Sequence, residues 1–93
     1  MITIQFYSLL RLMLNRENIR IPSIDGDTVR IVLERVQQSV GTPIAHKLLT
    51  EAGLLQTGTI ILLNRHNILP LDGLETNVAD DDILAIFPPG AGG

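Results

Sequence analysis

The sequence has no cysteine and no tryptophan, and only one tyrosine and two phenylalanines. Without cysteine there is no disulfide to staple the fold and no thiol for nucleophilic or metal-binding chemistry. Aromatic residues make up 3% of the chain, so the core has to be built from Ile, Leu and Val. Charge is also scarce, at 18%, with a single lysine (Lys47), six arginines and a net charge of −3. That balance lacks the basic footprint of a nucleic-acid binder. No apolar run approaches the roughly 20 residues that cross a membrane. Residues 1–14 lean apolar, but they have no basic leader and include Gln5, Ser8 and Arg11, so they read as structure and not as a signal peptide. A cytoplasmic protein without membrane partners is expected. His46 and His66, the only histidines, stand twenty positions apart, and no metal site is expected. No Ser-His-Asp arrangement or phosphate-binding glycine loop is evident.

What is present is a globular composition, 45% hydrophobic over 93 residues, enough for one domain. Residues 1–7 alternate, with Ile2, Ile4 and Phe6 on one face and Thr3, Gln5 and Tyr7 on the other, which predicts a half-buried strand. Residues 8–14 predict a short helix with Ser8 as its N-cap. Ile19-Arg20-Ile21 alternates again and predicts a second strand in a hairpin with the first. Thr28 is an N-cap candidate for the main helix, whose stripe is Val29, Val32, Leu33, Val36 and Val40 and whose stop is Gly41. Arg30 and Glu34, at i,i+4, are expected to pair. Thr42-Pro43 predicts the start of a second, shorter helix that ends at Gly53. Residues 59–64 are apolar on both faces and predict an interior strand. Residues 67–69 predict a short edge strand limited by Pro70, and Asp72-Gly73 a turn. Asp80, Asp81 and Asp82 form a solvated loop before the last strand, residues 83–87. Antiparallel hairpins around one main helix predict an α+β fold with a single sheet packed on that helix.

The chain ends in Phe87-Pro88-Pro89-Gly90-Ala91-Gly92-Gly93. Two prolines cannot continue a sheet ladder, and nothing bulkier than alanine follows them. The division expected is a body over residues 1–87 and an extended tail over 88–93. Fully extended, that tail spans roughly 20 Å. A slim end with a terminal carboxylate suits threading into the narrow active site of a partner.

Order and tail together resemble the ubiquitin-like β-grasp family, and more narrowly the MoaD/ThiS-type sulfur-carrier proteins, in particular the small subunit of molybdopterin synthase. The residues that carry the resemblance are Phe6-Tyr7-Ser8-Leu9-Leu10-Arg11, the helix entry Asp27-Thr28-Val29, the hairpin from Leu63 to Ile68, and above all the end from Asp82 to Gly93. The resemblance implies a mixed sheet on one main helix with a second short helix. Two positions depart from the family pattern. Arg65 stands where glycine often follows the hairpin asparagine, and Asp81 stands where the loop is often Asp-Gly-Asp. Asp81 would then have to adopt a glycine-like conformation.

The resemblance also implies a chemistry. A terminal carboxylate is ionised at neutral pH and is a poor electrophile. A ubiquitin-activating-like adenylating enzyme, using ATP and Mg²⁺, would convert Gly93 to an acyl-adenylate, and sulfur transfer would leave a thiocarboxylate there. The chain itself would be a co-substrate, with no catalytic site of its own and no bound cofactor. The carrier would then insert its tail into the large subunit of molybdopterin synthase, for molybdenum cofactor biosynthesis, or serve another sulfur acceptor. Thiamine synthesis, tRNA thiolation, cysteine synthesis and attachment to protein lysines are the alternatives, as is a non-covalent β-grasp binding module with inert glycines. A partner interface is expected on the last strand. Ile83 and Ala85 share one face with Phe87, while Leu84 and Ile86 share the other. With the helix over the first set, Leu84 and Ile86 would join apolar neighbours of the 59–63 strand on an open face, next to Phe87 at the root of the tail.

Overall fold

The computed structural model describes residues 1–90. Five strands form one sheet: β1 (Ile2–Phe6), β2 (Asn18–Ile21), β3 (Ile60–Leu63), β4 (His66–Asn67) and β5 (Ile83–Phe87). Their spatial order is β2-β1-β5-β3-β4. The first and last strands of the chain therefore lie side by side at the centre, and they run parallel, while every other pair is antiparallel.

Among the described residues there are three α-helices, α1 (Ser8–Leu14), α2 (Val29–Val40) and α3 (Ala45–Leu48), and a short 3-10 turn at Gly73–Glu75. The main helix begins as its sequence dictates. The Thr28 hydroxyl accepts a hydrogen bond from the Ile31 amide at 3.3 Å, and Gly41 ends the helix in the left-handed region at φ 71°. Its stripe Val29, Val32, Leu33 and Val36 is buried. It packs against Ile2, Ile4 and Phe6 of β1, Ile61 and Leu63 of β3, and Leu84 and Ile86 of β5, in one continuous core.

That packing corrects the expected interface. Leu84 and Ile86 are fully buried under the helix, at 0% exposure. The cause is register. Leu84 stands beside Ile4 and Ile86 beside Phe6 in the parallel pair, and neighbours across a ladder share a face. Since β1 is apolar only on the Ile2-Ile4-Phe6 face, the helix has to cover that face, and Leu84 and Ile86 go with it.

Other local expectations change for equally local reasons. Ser8 is not a cap: Tyr7 holds the cap position of α1 without a side-chain bond, and Ser8 itself has φ 53°. Arg30 pairs with Glu75 at 2.8 Å and donates to the Gly53 carbonyl at 2.9 Å instead of pairing with Glu34. The second helix is one turn long. It starts at Ala45, where the Gln37 side-chain oxygen accepts from the amides of Ile44 and Ala45, both at 2.7 Å, and it gives way to a turn before Gly53. The edge strand lies at His66–Asn67, earlier than expected, because the hairpin reverses in two residues. Those residues, Asn64 at φ 49° and Arg65 at φ 73°, both take the positive φ that a tight hairpin turn needs. Asp81, at φ 69°, does adopt the glycine-like conformation.

Candidate functional site

The site is the place where β5 leaves the sheet. β5 ends at Phe87, and the next two residues have no amide hydrogen to offer a neighbouring strand. Burial falls stepwise from there: Pro88 is buried, Pro89 half-buried and Gly90 exposed. The described chain stays packed through Pro89 and opens to solvent at Gly90. The prolines seat the root of the tail as well as ending the ladder.

Three features form that seat. The Phe87 ring stacks on Tyr7, with centroids 4.3 Å apart and planes 11° from parallel. Pro88 shares a small apolar hollow with Leu9, Leu10 and Met13 of α1 and with Lys47 of α3. Pro89 crosses Gly58, where an added Cβ would lie 3.6 Å from the Pro89 Cα. That is ordinary contact, so space does not demand glycine there. The backbone does, at φ 93°. Sequence reading found Phe87, Pro88, Pro89 and Gly90 but missed Tyr7, Gly58 and Lys47. Tyr7 alone carried a signal, as the outward residue at the end of the alternating first strand. Ala91, Gly92 and Gly93, the other expected tail residues, lie outside the described residues.

The sheet face away from α2 is open. Ile60 and Ile83 are exposed, at 44% and 41%, and Leu62, Ala85, Phe87 and Tyr7 are half-buried beside them. Gln5, Asn64 and Arg65 supply a polar margin to the shallow concavity that these residues line. Phe87 thus belongs to an apolar patch continuous with the tail root, together with Ile83 and Ala85 and not with Leu84 and Ile86. A second exposed apolar group, Leu9, Leu12 and Met13 of α1, flanks the other side of the root.

The electrostatics lie away from this patch. Asp27 is buried and chelated by Arg35, through Nη1 at 2.5 Å and Nη2 at 2.8 Å. The Arg35 hydrogen bond holds the Asp27 carboxyl below its ordinary range, against the cost of burial, and raises Arg35 in return. Asp80 bonds the N-terminal amine of Met1, which lowers its pKa. Asp82 accepts from the Asn64 side chain at 2.8 Å and from the Ala79 amide at 2.8 Å. The acidic loop is thus tied to the hairpin turn and to the start of β1. Among the described residues, no group of three or more His, Asp or Glu side chains is placed to hold a metal ion, and no helix is long and apolar enough to cross a membrane.

A central parallel pair formed by the first and last strands, one long helix on one face, and a chain end leaving the sheet beside an open apolar face define the ubiquitin-like β-grasp of small carrier and modifier proteins. The family model described as ThiS family matches residues 12–93, and the chain belongs to that family of MoaD/ThiS-type sulfur carriers. No curated protein is significantly similar in sequence. Among solved structures, the chain is similar to one of an Amycolatopsis orientalis BexX/CysO complex, with 24% identity, full coverage of both chains and a TM-score of 0.83. It is also similar to small archaeal modifier protein 1 from Methanosarcina acetivorans, with 24% identity over 99% of this chain and 95% of the other, at a TM-score of 0.79. A Pyrococcus furiosus protein described as a candidate molybdopterin converting factor, subunit 1, shares 15% identity over 96% of this chain and 97% of its own, at 0.71. These likenesses establish the fold.

Proposed function

We propose that Gly93 is adenylated by a ubiquitin-activating-like enzyme with ATP and Mg²⁺, and that sulfur transfer then leaves a thiocarboxylate on its carbonyl. The chain acts as a co-substrate in the cytoplasm, and its acceptor is the large subunit of molybdopterin synthase. The observation that supports this most is the seated root: β5 is clamped by Tyr7, Pro88 and Pro89 are packed, and exposure begins at Gly90, so the last four residues follow directly on a packed root. Adenylation makes the carbonyl electrophilic by turning an oxyanion into a phosphate leaving group. A sulfur nucleophile then displaces AMP.

The partner surface in this reading is the open face, with Ile83, Ala85 and Phe87 at its centre and Ile60 and Leu62 beside them. An apolar patch of this kind, rimmed by Gln5, Asn64 and Arg65, is suited to cover by another protein. The BexX/CysO structure supports binding to a partner protein as a general property of the fold.

A second reading keeps the chemistry and changes the acceptor to a cysteine-forming, thiamine or tRNA-thiolation enzyme, or to protein lysines. The CysO and archaeal modifier structures, more similar than the molybdopterin-related one, favour giving it weight. Incubation with an adenylating enzyme, ATP, Mg²⁺ and a sulfur donor, followed by intact-mass measurement, tests the common step. An oxygen-to-sulfur exchange that disappears when Gly93 is deleted supports it, and an unchanged mass with a competent partner refutes it. Identifying the acceptor that co-purifies then separates the pathways.

A further inference from the structure

The sheet has two outer edges, and they differ. β4, at one edge, is two residues long, with Pro70 shortly after it. β2, at the other, is a regular four-residue strand paired to β1 without a bulge. The Phe6 amide donates to the Glu17 carbonyl at 2.8 Å, just ahead of β2. Along an antiparallel pair the backbone groups turn alternately inward and outward. With Glu17, Ile19 and Ile21 turned to β1, the amides and carbonyls of Asn18 and Arg20 turn outward. None of these four groups has a backbone partner among the described residues. Beside this edge, Ile21 and Pro22 form an open hollow of about 300 Å³ with Arg35, Gln38 and Ser39 of α2. Arg16 and Arg20 are exposed there and take part in none of the ion pairs among the described residues.

We propose that the outer edge of β2 accepts an extended, acidic segment of a partner protein as an added strand. The segment takes the four outward backbone groups of Asn18 and Arg20, which a short edge strand otherwise leaves to water. Its side chains alternate between the two faces of the sheet. Those on the α2 side lie against the half-buried Ile19 and over the hollow, and are apolar. Those on the other side stand beside Asn18 and Arg20, and are carboxylates. A second copy of this chain fits the same edge poorly. Two antiparallel β2 strands set outward residue against outward residue, so Asn18 meets Arg20, and Arg16 and Arg20 of both copies gather on one face. Like charges at such a seam oppose pairing, and carboxylates in their place favour it. β1 lies between β2 and β5, so the added strand sits three strand spacings from β5, roughly 14 Å. Phe87 and the root of the tail stay uncovered. The edge can hold a partner whether or not the tail is engaged, and it draws on nothing in the chemistry proposed for Gly93.

The probe is a short blocked peptide that alternates valine and aspartate, titrated into the isotope-labelled full chain and followed by NMR. The expected result is saturable shifts at residues 16–22, with hydrogen exchange slowed at the Asn18 and Arg20 amides. Binding should weaken as salt rises. Arg20→Glu, at an exposed position, should weaken it by roughly tenfold. A peptide alternating valine and lysine should reverse that order, binding Arg20→Glu better than wild type. Shifts centred on Ile83, Ala85 and Phe87 overturn the proposal, as does the absence of saturable shifts. Equal affinity for the aspartate and lysine peptides overturns the acidic partner. Changes at Asn18 and Arg20 on concentrating the protein alone, with a doubled mass in sedimentation, assign the edge to a second copy and overturn it too.

Discussion

Tyr7 lies flat on Phe87, one residue beyond the end of β1 against the last residue of β5. The Tyr7 amide also donates to the Ile86 carbonyl at 3.1 Å. Because the two strands run parallel, both finish at the same end of the sheet, and the stack clamps the chain where the tail begins. Removing the ring by Tyr7→Ala is expected to cost about 1–2 kcal/mol. Tyr7→Phe keeps the stack and loses only the hydroxyl bond to Gln5, so it should stay within about 0.5 kcal/mol of wild type. Urea denaturation of the two variants measures the difference, and equal losses would show that the stack contributes nothing.

The two faces of β5 make opposite predictions for neighbouring residues. Leu84→Asp places an unpaired carboxylate in the core and is expected to leave the chain unfolded or destabilised by more than about 3 kcal/mol. Ile83→Asp, on the open face, should change stability by less than about 1 kcal/mol. It should instead weaken binding to the adenylating enzyme by tenfold or more, an effect on the order of 1.4 kcal/mol. Circular dichroism melts read the first quantity and titration calorimetry the second. Unchanged binding by a folded Ile83→Asp would remove the open face from the interface.

Acid should find the Asp27–Arg35 pair. Asp27 is ionised more readily in the folded chain, because Arg35 bonds the carboxylate. A lowered folded pKa means stability that is present in full above the ordinary carboxyl range near 4 and is lost as pH falls through the lowered value. Asp27→Asn leaves Arg35 without its anion and is expected to cost about 1.5–3 kcal/mol at neutral pH. The gap between variant and wild type should narrow below pH ~4. A gap that persists unchanged to strongly acidic pH would mean that the ion pair contributes nothing pH-dependent.

Gly58 is held at φ 93° beneath Pro89. Gly58→Ala is therefore expected to cost about 1–2 kcal/mol through backbone strain and not through a clash. The thermal midpoint should drop by roughly 4–8 °C for each kcal/mol. A variant that melts with wild type would show that the loop relaxes freely.

Much of the fold was legible. The alternation of the first strand, the Thr28 cap, the valine stripe and the Gly41 stop are local signals, and each appears where the spacing places it. The edges of short elements were less legible. Gln37, eight residues before Ala45, sets the start of α3 by offering its side-chain oxygen to two amides, and nothing near residues 42–53 announces that. Arg30 had a partner at the right helical spacing and took Glu75 and Gly53 instead, which tertiary packing brings within hydrogen-bond distance. In the candidate site, the tail was visible as composition. Its seat on Tyr7, Gly58 and Lys47 was not, since those residues lie far from it in the chain.

The clearest division lies in the last strand. Residues 83–87 are apolar on both faces, so the local sequence establishes a strand and a tail after it but has no preference for which side turns inward. Pairing decides that. β1 is polar on one side, it accepts β5 in a parallel register that sets Leu84 beside Ile4, and the helix can lower the free energy only by covering the side on which both strands are apolar. Burial of Leu84 and Ile86, and with it the placement of Ile83, Ala85 and Phe87 on the open face next to the tail, is a property of the assembled sheet and of no single segment.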